Sequence, residues 1–113
     1  MVLNHLNLAT TDVTGLAGFF TEFAGLTKVG GNAGMAFLSD DHGFILSIMK
    51  AKGGIAEYPG TFHVGFFQGD RQSVDELHRK ITSAGFEATE PTDSHAYTFY
   101  AKAPGGVMVE FGC

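Results

Sequence analysis

Three residues in this 113-residue chain have the types and spacing to do chemistry together: His5, His63 and Glu110. Each histidine opens an apolar, strand-like run, HLNLATTD over residues 5–12 and HVGFFQGD over residues 63–70. In both runs an aspartate follows seven positions after the histidine. Side chains alternate across a strand with period two. Leu6 and Leu8 therefore share one face of the first strand, and His5, Asn7 and Ala9 share the other. In the second run Val64 and Phe66 leave His63, Gly65 and Phe67 opposite. Near the end, Val107, Val109 and Phe111 leave Met108, Glu110 and Gly112 opposite. Two imidazoles and a carboxylate on equivalent faces of a repeated unit read as a divalent-metal site. A carboxylate between Val109 and Phe111 on an enclosed face is costly without a partner, and a cation removes that cost. His42, His78 and His95 have no such relation and read as hydrogen-bonded structural residues.

The elements that position these residues also repeat. Val2–Ala9 reads as a strand, and Thr11-Asp12 supply capping side chains. Leu16, Phe19, Phe20 and Phe23 then recur at helical spacing until Gly25 stops the helix. Gly30-Gly31-Asn32 reads as a turn, and Met35–Ser39 with Phe44–Met49 as a hairpin. Residues 51–60, with Gly53-Gly54 and Pro59-Gly60, read as a linker between a first module at 1–50 and a second at 61–113. In the second module a strand at Thr61–Gln68 precedes a helix carrying Val74, Leu77 and Ile81 on one face. Ser73-x-x-Glu76 is a candidate capping box for it. Short strands are expected at Phe86–Thr89, His95–Lys102 and Gly106–Phe111. Each module is a strand, a helix and three strands, so neither buries both faces of its sheet without a neighbour.

Bulk properties exclude other classes. The length suits one domain, 1–113, and the charged and apolar content is that of a globular protein. A net charge of -5 with no basic cluster argues against nucleic acid or an anionic membrane as partner. The single cysteine, Cys113, permits no internal disulfide and suits a reducing compartment. No basic n-region or long apolar run marks the N-terminus, so no signal peptide is expected and the protein is assigned to the cytoplasm.

Three segments, LNHLNLATTD with the Phe-Phe helix, FHVGFF, and FYAKAPGGVMVEF, resemble the vicinal oxygen chelate superfamily over essentially the whole chain. That group includes glyoxalase I, methylmalonyl-CoA epimerase, extradiol dioxygenases, fosfomycin-resistance thiol transferases and bleomycin-resistance binding proteins. The resemblance implies an α+β fold of two βαβββ modules forming a curved mixed sheet half-barrel, completed across a homodimer with shared sites. It also implies metal ligands on the first and last strand of each module. Here those positions hold His5, His63, Glu110 and, in the remaining slot, Ser47, a poor ligand beside imidazole and carboxylate.

A set of two His and one Glu is similar to extradiol dioxygenases and fosfomycin transferases, which also resemble this chain in a Tyr ten residues before the Glu, here Tyr100. The ending F-Y-x-x-A-P-x-G-x-x-x-E is close to the extradiol signature, which asks for a further His upstream. His95 lies too near Phe99 to match without a gap. The resemblance thus implies oxidation of a small chelating aromatic at Fe2+ or Mn2+, with Zn2+ or Ni2+ as alternatives and Tyr100 as hydrogen-bond donor or acid. Asn7, Ile45, Ser47, Met49, Phe67 and Met108 are the expected substrate contacts. Alternative readings are a glyoxalase-type lyase or isomerase, a fosfomycin-type thiol transferase, and a drug-binding protein of the bleomycin-resistance type.

Overall fold

A computed structural model describes all 113 residues. The chain divides into two compact units, Met1–Glu57 and Tyr58–Cys113. In the first, β1 (His5–Thr10), α1 (Val13–Phe23), β2 (Thr27–Asn32), β3 (Met35–Ser39) and β4 (Ile45–Lys50) follow in order. In the second, β5 (His63–Phe67), α2 (Arg71–Ser83), β6 (Thr92–Asp93), β7 (Tyr97–Lys102) and β8 (Met108–Gly112) repeat the pattern. The sheets are ordered β1-β4-β3-β2 and β5-β8-β7-β6. Each mixes one parallel pair, β1 with β4 and β5 with β8, with antiparallel neighbours. Both are open four-stranded sheets with one helix packed on a face. The α+β class and the βαβββ modules are therefore as expected from sequence.

The helix of each unit starts on an aspartate. Asp12 accepts from the Gly15 amide at 2.9 Å, and Asp70 from the Ser73 amide at 2.8 Å. The capping residue of α2 is thus Asp70, not Ser73. Glu76 does not close a capping box but accepts from Gln72, one turn earlier on the solvent side. The bond from Ser73 holds the Asp70 carboxyl below its ordinary pKa. Both helices stop where Gly25 and Gly85 take positive φ, a conformation in which a side chain is costly.

Apolar packing of the helix faces forms the cores. Leu16, Phe20, Leu8, Leu38 and Ile48 are fully buried in the first unit, and Val74, Ile81, Phe99, Val107 and Val109 in the second. Phe99 lies against Phe111 at 5.5 Å and edge-on to His78 at 5.1 Å between ring centroids.

Two further expectations need correction. Gly30-Gly31-Asn32 is not a turn but the end of β2, and the chain reverses after Asn32. Gly31 has φ +135°, and a Cβ there would lie 2.4 Å from the Met35 carbonyl oxygen, so this glycine serves close backbone approach to β3, just past a shift in the β2–β3 register between Lys28 and Gly30. Phe86–Thr89 forms no strand beyond a bridge from Ala88 to Ala101; the third-from-last strand is the two-residue β6.

Gly18 gives the first stability prediction. It lies inside α1, is exposed, and a Cβ there would meet nothing within 4 Å. Gly18→Ala should raise stability by about 0.5–1 kcal/mol through the unfolded chain's lost freedom, read as a higher urea midpoint at unchanged slope. Gly15→Ala should not share the gain, because its Cβ would displace the Asp12 cap.

Candidate functional site

The non-helix face of the second sheet carries the densest polar chemistry. Residues 63, 65 and 67 of β5 stand opposite 108, 110 and 112 of β8, and Glu110 in turn stands opposite Tyr100 of β7. Register alone therefore sets His63, Glu110 and Tyr100 side by side. The Glu110 side chain is only 6% exposed, yet both carboxylate oxygens are engaged. Oε2 faces His63 Nε2 at 3.3 Å. Oε1 accepts from the Tyr100 hydroxyl at 3.2 Å and meets His95 Nε2 at 2.7 Å. The Tyr100 and His63 rings meet edge to face at 5.4 Å.

His63 Nδ1 has the Thr61 carbonyl at 3.0 Å as its partner, so Nδ1 carries the hydrogen. A neutral imidazole then turns the Nε2 lone pair toward Glu110 Oε2. Two acceptors 3.3 Å apart require a proton or a cation between them. Two ligands each about 2.1 Å from one ion stand about 3–3.5 Å apart, so this pair fits a divalent metal, and the Nδ1–carbonyl bond is the kind of support that metal-bound imidazoles use. Within neither unit are three or more His, Cys, Asp or Glu side chains arranged around one point as ligands.

Burial pushes the Tyr100 phenol above its ordinary pKa, and the Glu110 charge and hydrogen bond push the same way. Tyr100 is therefore a neutral donor at physiological pH, not a base. It lines two open cavities. One of about 410 Å³ is lined by Thr61, Phe62 and His63, and the other of about 330 Å³ by Glu87, Ala88 and Lys102; both also touch Thr89, Tyr100 and Met108. The first is mainly apolar apart from its histidine and tyrosine, with the Phe62 ring stacked on Tyr58 at 4.7 Å. Phe67, at 59% exposure, presents a free aromatic face farther along β5.

In the first unit His5 is exposed, with Nδ1 2.7 Å from Asn4 Oδ1, an acceptor that again leaves Nε2 as the free nitrogen. Ser47 stands opposite Asn7, as Glu110 stands opposite Gly65. Ser47 is buried and donates its hydroxyl to Asn7 Oδ1 at 2.8 Å. Ile45 and Met49 flank it on the same face of β4, half-buried and exposed respectively.

His95 is hydrogen-bonded, as its reading as a structural residue expects, but its partner belongs to this site: the three-residue loop Ser94–Ala96 between β6 and β7 folds it back onto Glu110. The signal was the C-terminal signature's demand for an upstream histidine. The spacing from His95 to Phe99 still departs from that signature, and it is the turn of the loop that brings the ring to Glu110.

Comparison with known proteins agrees with this fold. Residues 2–111 match the model of the Glyoxalase/Bleomycin resistance protein/Dioxygenase superfamily. A possible glyoxalase from Bacillus cereus is 41% identical and superposes with a TM-score of 0.91, over 100% of this chain and 99% of that one. Lactoylglutathione lyase from Agrobacterium tumefaciens is 18% identical, with a TM-score of 0.75 over 98% and 92% of the two chains. The fosfomycin resistance protein FosX from Listeria monocytogenes is also 18% identical, with a TM-score of 0.80 over 99% and 92%. No curated protein matches the sequence. At these low identities the last two structures speak for the fold alone. The family match spans nearly the whole chain and coincides with the repeated strand, helix and three strands: this protein belongs to the glyoxalase/bleomycin resistance protein/dioxygenase superfamily.

Proposed function

We propose that the protein is a divalent-metal-dependent enzyme that acts on a small oxygen-chelating substrate, by extradiol-type oxidation of an aromatic diol. One observation carries this reading: His63 Nε2 and a buried carboxylate oxygen face each other at 3.3 Å beside an apolar cavity, a spacing that two ligands of one ion share. His63 and Glu110 are proposed as ligands. His5 is proposed as the third, by its equivalent position in the repeat and its similarly engaged Nδ1. Fe2+ or Mn2+ suits the oxygenase reading, Zn2+ or Ni2+ the lyase reading. A bound divalent ion would supply Lewis acidity and, if iron, redox chemistry.

This chain's own groups do the rest. Neutral Tyr100, whose one O–H rests on Glu110 Oε1, turns it to a substrate oxygen on binding and donates to or protonates that oxygen, leaving His95 on Glu110. Met108 and Phe67 offer apolar contacts to a ring, with Asn7, Ile45, Ser47 and Met49 as the proposed contacts from the first unit. We also propose a cytoplasmic homodimer with shared sites: β1 and β5 are sheet-edge strands, which present unpaired backbone.

The deciding assay loads full-length protein with Fe2+ under nitrogen, adds a panel of catechols, admits oxygen and follows its uptake and the ring-cleavage chromophore. Catechol-dependent oxygen uptake that Tyr100→Phe slows by about 10²–10⁴-fold is expected. The 41% identity to a possible glyoxalase favours a lyase or isomerase as the second reading. Turnover of hemithioacetals by the Zn2+ or Ni2+ form, with no oxygen uptake, would select it. The neutral Asn7–Ser47 pair counts against this second reading where it needs a fourth acidic ligand.

A further inference from the structure

We propose that His95 is a positioning residue that, together with Tyr100, holds Glu110 by Oε1, leaving Oε2 alone to bind the cation. The inference rests on the metal reading of His63 and Glu110 above. The two oxygens of this carboxylate have different partners. Oε1 has two, the Tyr100 hydroxyl at 3.2 Å and His95 Nε2 at 2.7 Å, while Oε2 has only the imidazole of His63 at 3.3 Å. A carboxylate oxygen accepts only, so His95 Nε2 carries a hydrogen and donates it. His95 Nδ1 meets the Ser94 hydroxyl at 3.1 Å, which can donate to it, so a chain from Ser94 through His95 to Glu110 forms with every group satisfied.

Once a cation replaces the proton between His63 and Oε2, the two imidazoles at this carboxylate take opposite tautomers. His63 keeps its hydrogen on Nδ1, tied to the Thr61 carbonyl, and would turn its Nε2 lone pair to the cation that Oε2 also binds. His95 has its hydrogen on Nε2 and presents a donor to Oε1. A donor orients a ligand; a lone pair binds a cation. With Oε1 occupied by two donors, Glu110 serves as a one-oxygen ligand, which leaves a coordination position open that a two-oxygen carboxylate would fill. A chelating substrate needs adjacent open positions. His95 is 58% exposed and sits on a hairpin loop, so its packing contributes little to the fold.

The test uses full-length protein and Co2+ alone as probe, with affinity measured against a chromophoric chelator and coordination read from the visible absorption of bound Co2+. His95→Ala should keep the thermal midpoint and the Co2+ stoichiometry, weaken affinity by about 10–100-fold, and change the Co2+ band. His95→Gln, whose amide can donate to Oε1, should restore most of both. An affinity and a band unchanged in His95→Ala would overturn the inference. So would a loss as complete as that of His63→Ala, since His95 would then be a ligand. Without metal, the His95 Nε2 proton should resonate downfield and shift on Glu110→Gln; an unshifted proton counts against the bond. If His63→Ala itself leaves Co2+ affinity intact, the metal reading fails and the inference with it. If His63→Ala weakens binding and His95→Ala is silent, the inference alone fails.

Discussion

Glu110→Gln and His63→Ala are each expected to lower divalent-metal affinity by roughly 10²–10³-fold. Four-ligand zinc sites bind with about 10–16 kcal/mol, so one ligand is worth about 2.5–4 kcal/mol, and 1.4 kcal/mol is a factor of ten. His5→Ala should do the same if the first unit supplies the third ligand. Ser47→Ala should spare binding, because its hydroxyl is committed to Asn7. Dialysis against a metal panel followed by elemental analysis reads all four variants. Loss of metal in Ser47→Ala with retention in Glu110→Gln would reverse the assignment. The same variants probe assembly. Mixing His5→Ala with Glu110→Gln and allowing subunit exchange should restore one intact site per heterodimer, if sites are shared between subunits. Exchange without regained metal would leave each site within one chain.

Phe99→Ala should cost about 3–5 kcal/mol, the largest stability effect expected in the second unit. The ring is fully buried, lies against Phe111 and meets His78 edge-on. For a chain of this size the loss corresponds to a melting temperature lower by roughly 10–20 °C. Phe99 also precedes Tyr100 on β7, with the two side chains on opposite faces, so a cavity under β7 should loosen the donor to Glu110. Circular dichroism melts of Phe99→Ala and Phe99→Leu decide this. A midpoint within a few degrees of the unmodified protein would show that the aromatic stack is not what holds the sheet to α2.

The order of elements was legible in the sequence because both governing signals are local. Period-two alternation placed His5, His63 and Glu110 on the face away from the helices, and Gly25 and Gly85 marked both helix ends. Where two local signals competed, the sequence could not choose between them. Asp70 and Ser73 are both good capping residues, and only the bond from the Ser73 amide shows which one caps. Gly30-Gly31 suits a turn as well as a close strand approach, and the Met35 carbonyl decides. β6 is two residues after a proline, too short for any periodicity. The Glu110 environment was half legible. His63 and Tyr100 follow from register, whereas His95 depends on how a three-residue loop turns.

The pairing of Asn7 with Ser47 and of Gly65 with Glu110 also constrains the history of this chain. A Cβ at Gly65 would already lie 3.6 Å from Glu110 Oε2, so the acid leans over a residue with no side chain. In the first unit the corresponding ground is occupied by Asn7, locked to Ser47. Mutating Ser47 to an acid alone would drive a charge into a buried site against an amide, a step selection would remove. Clearing Asn7 to glycine first would leave the Ser47 hydroxyl only its longer bond to the Leu6 carbonyl, at 3.4 Å. Each single step is therefore worse than the present pair, and only the double change crosses. Descendants of this sequence are more readily drawn to new activities at the Glu110 end than to recovering a symmetric, two-acid site.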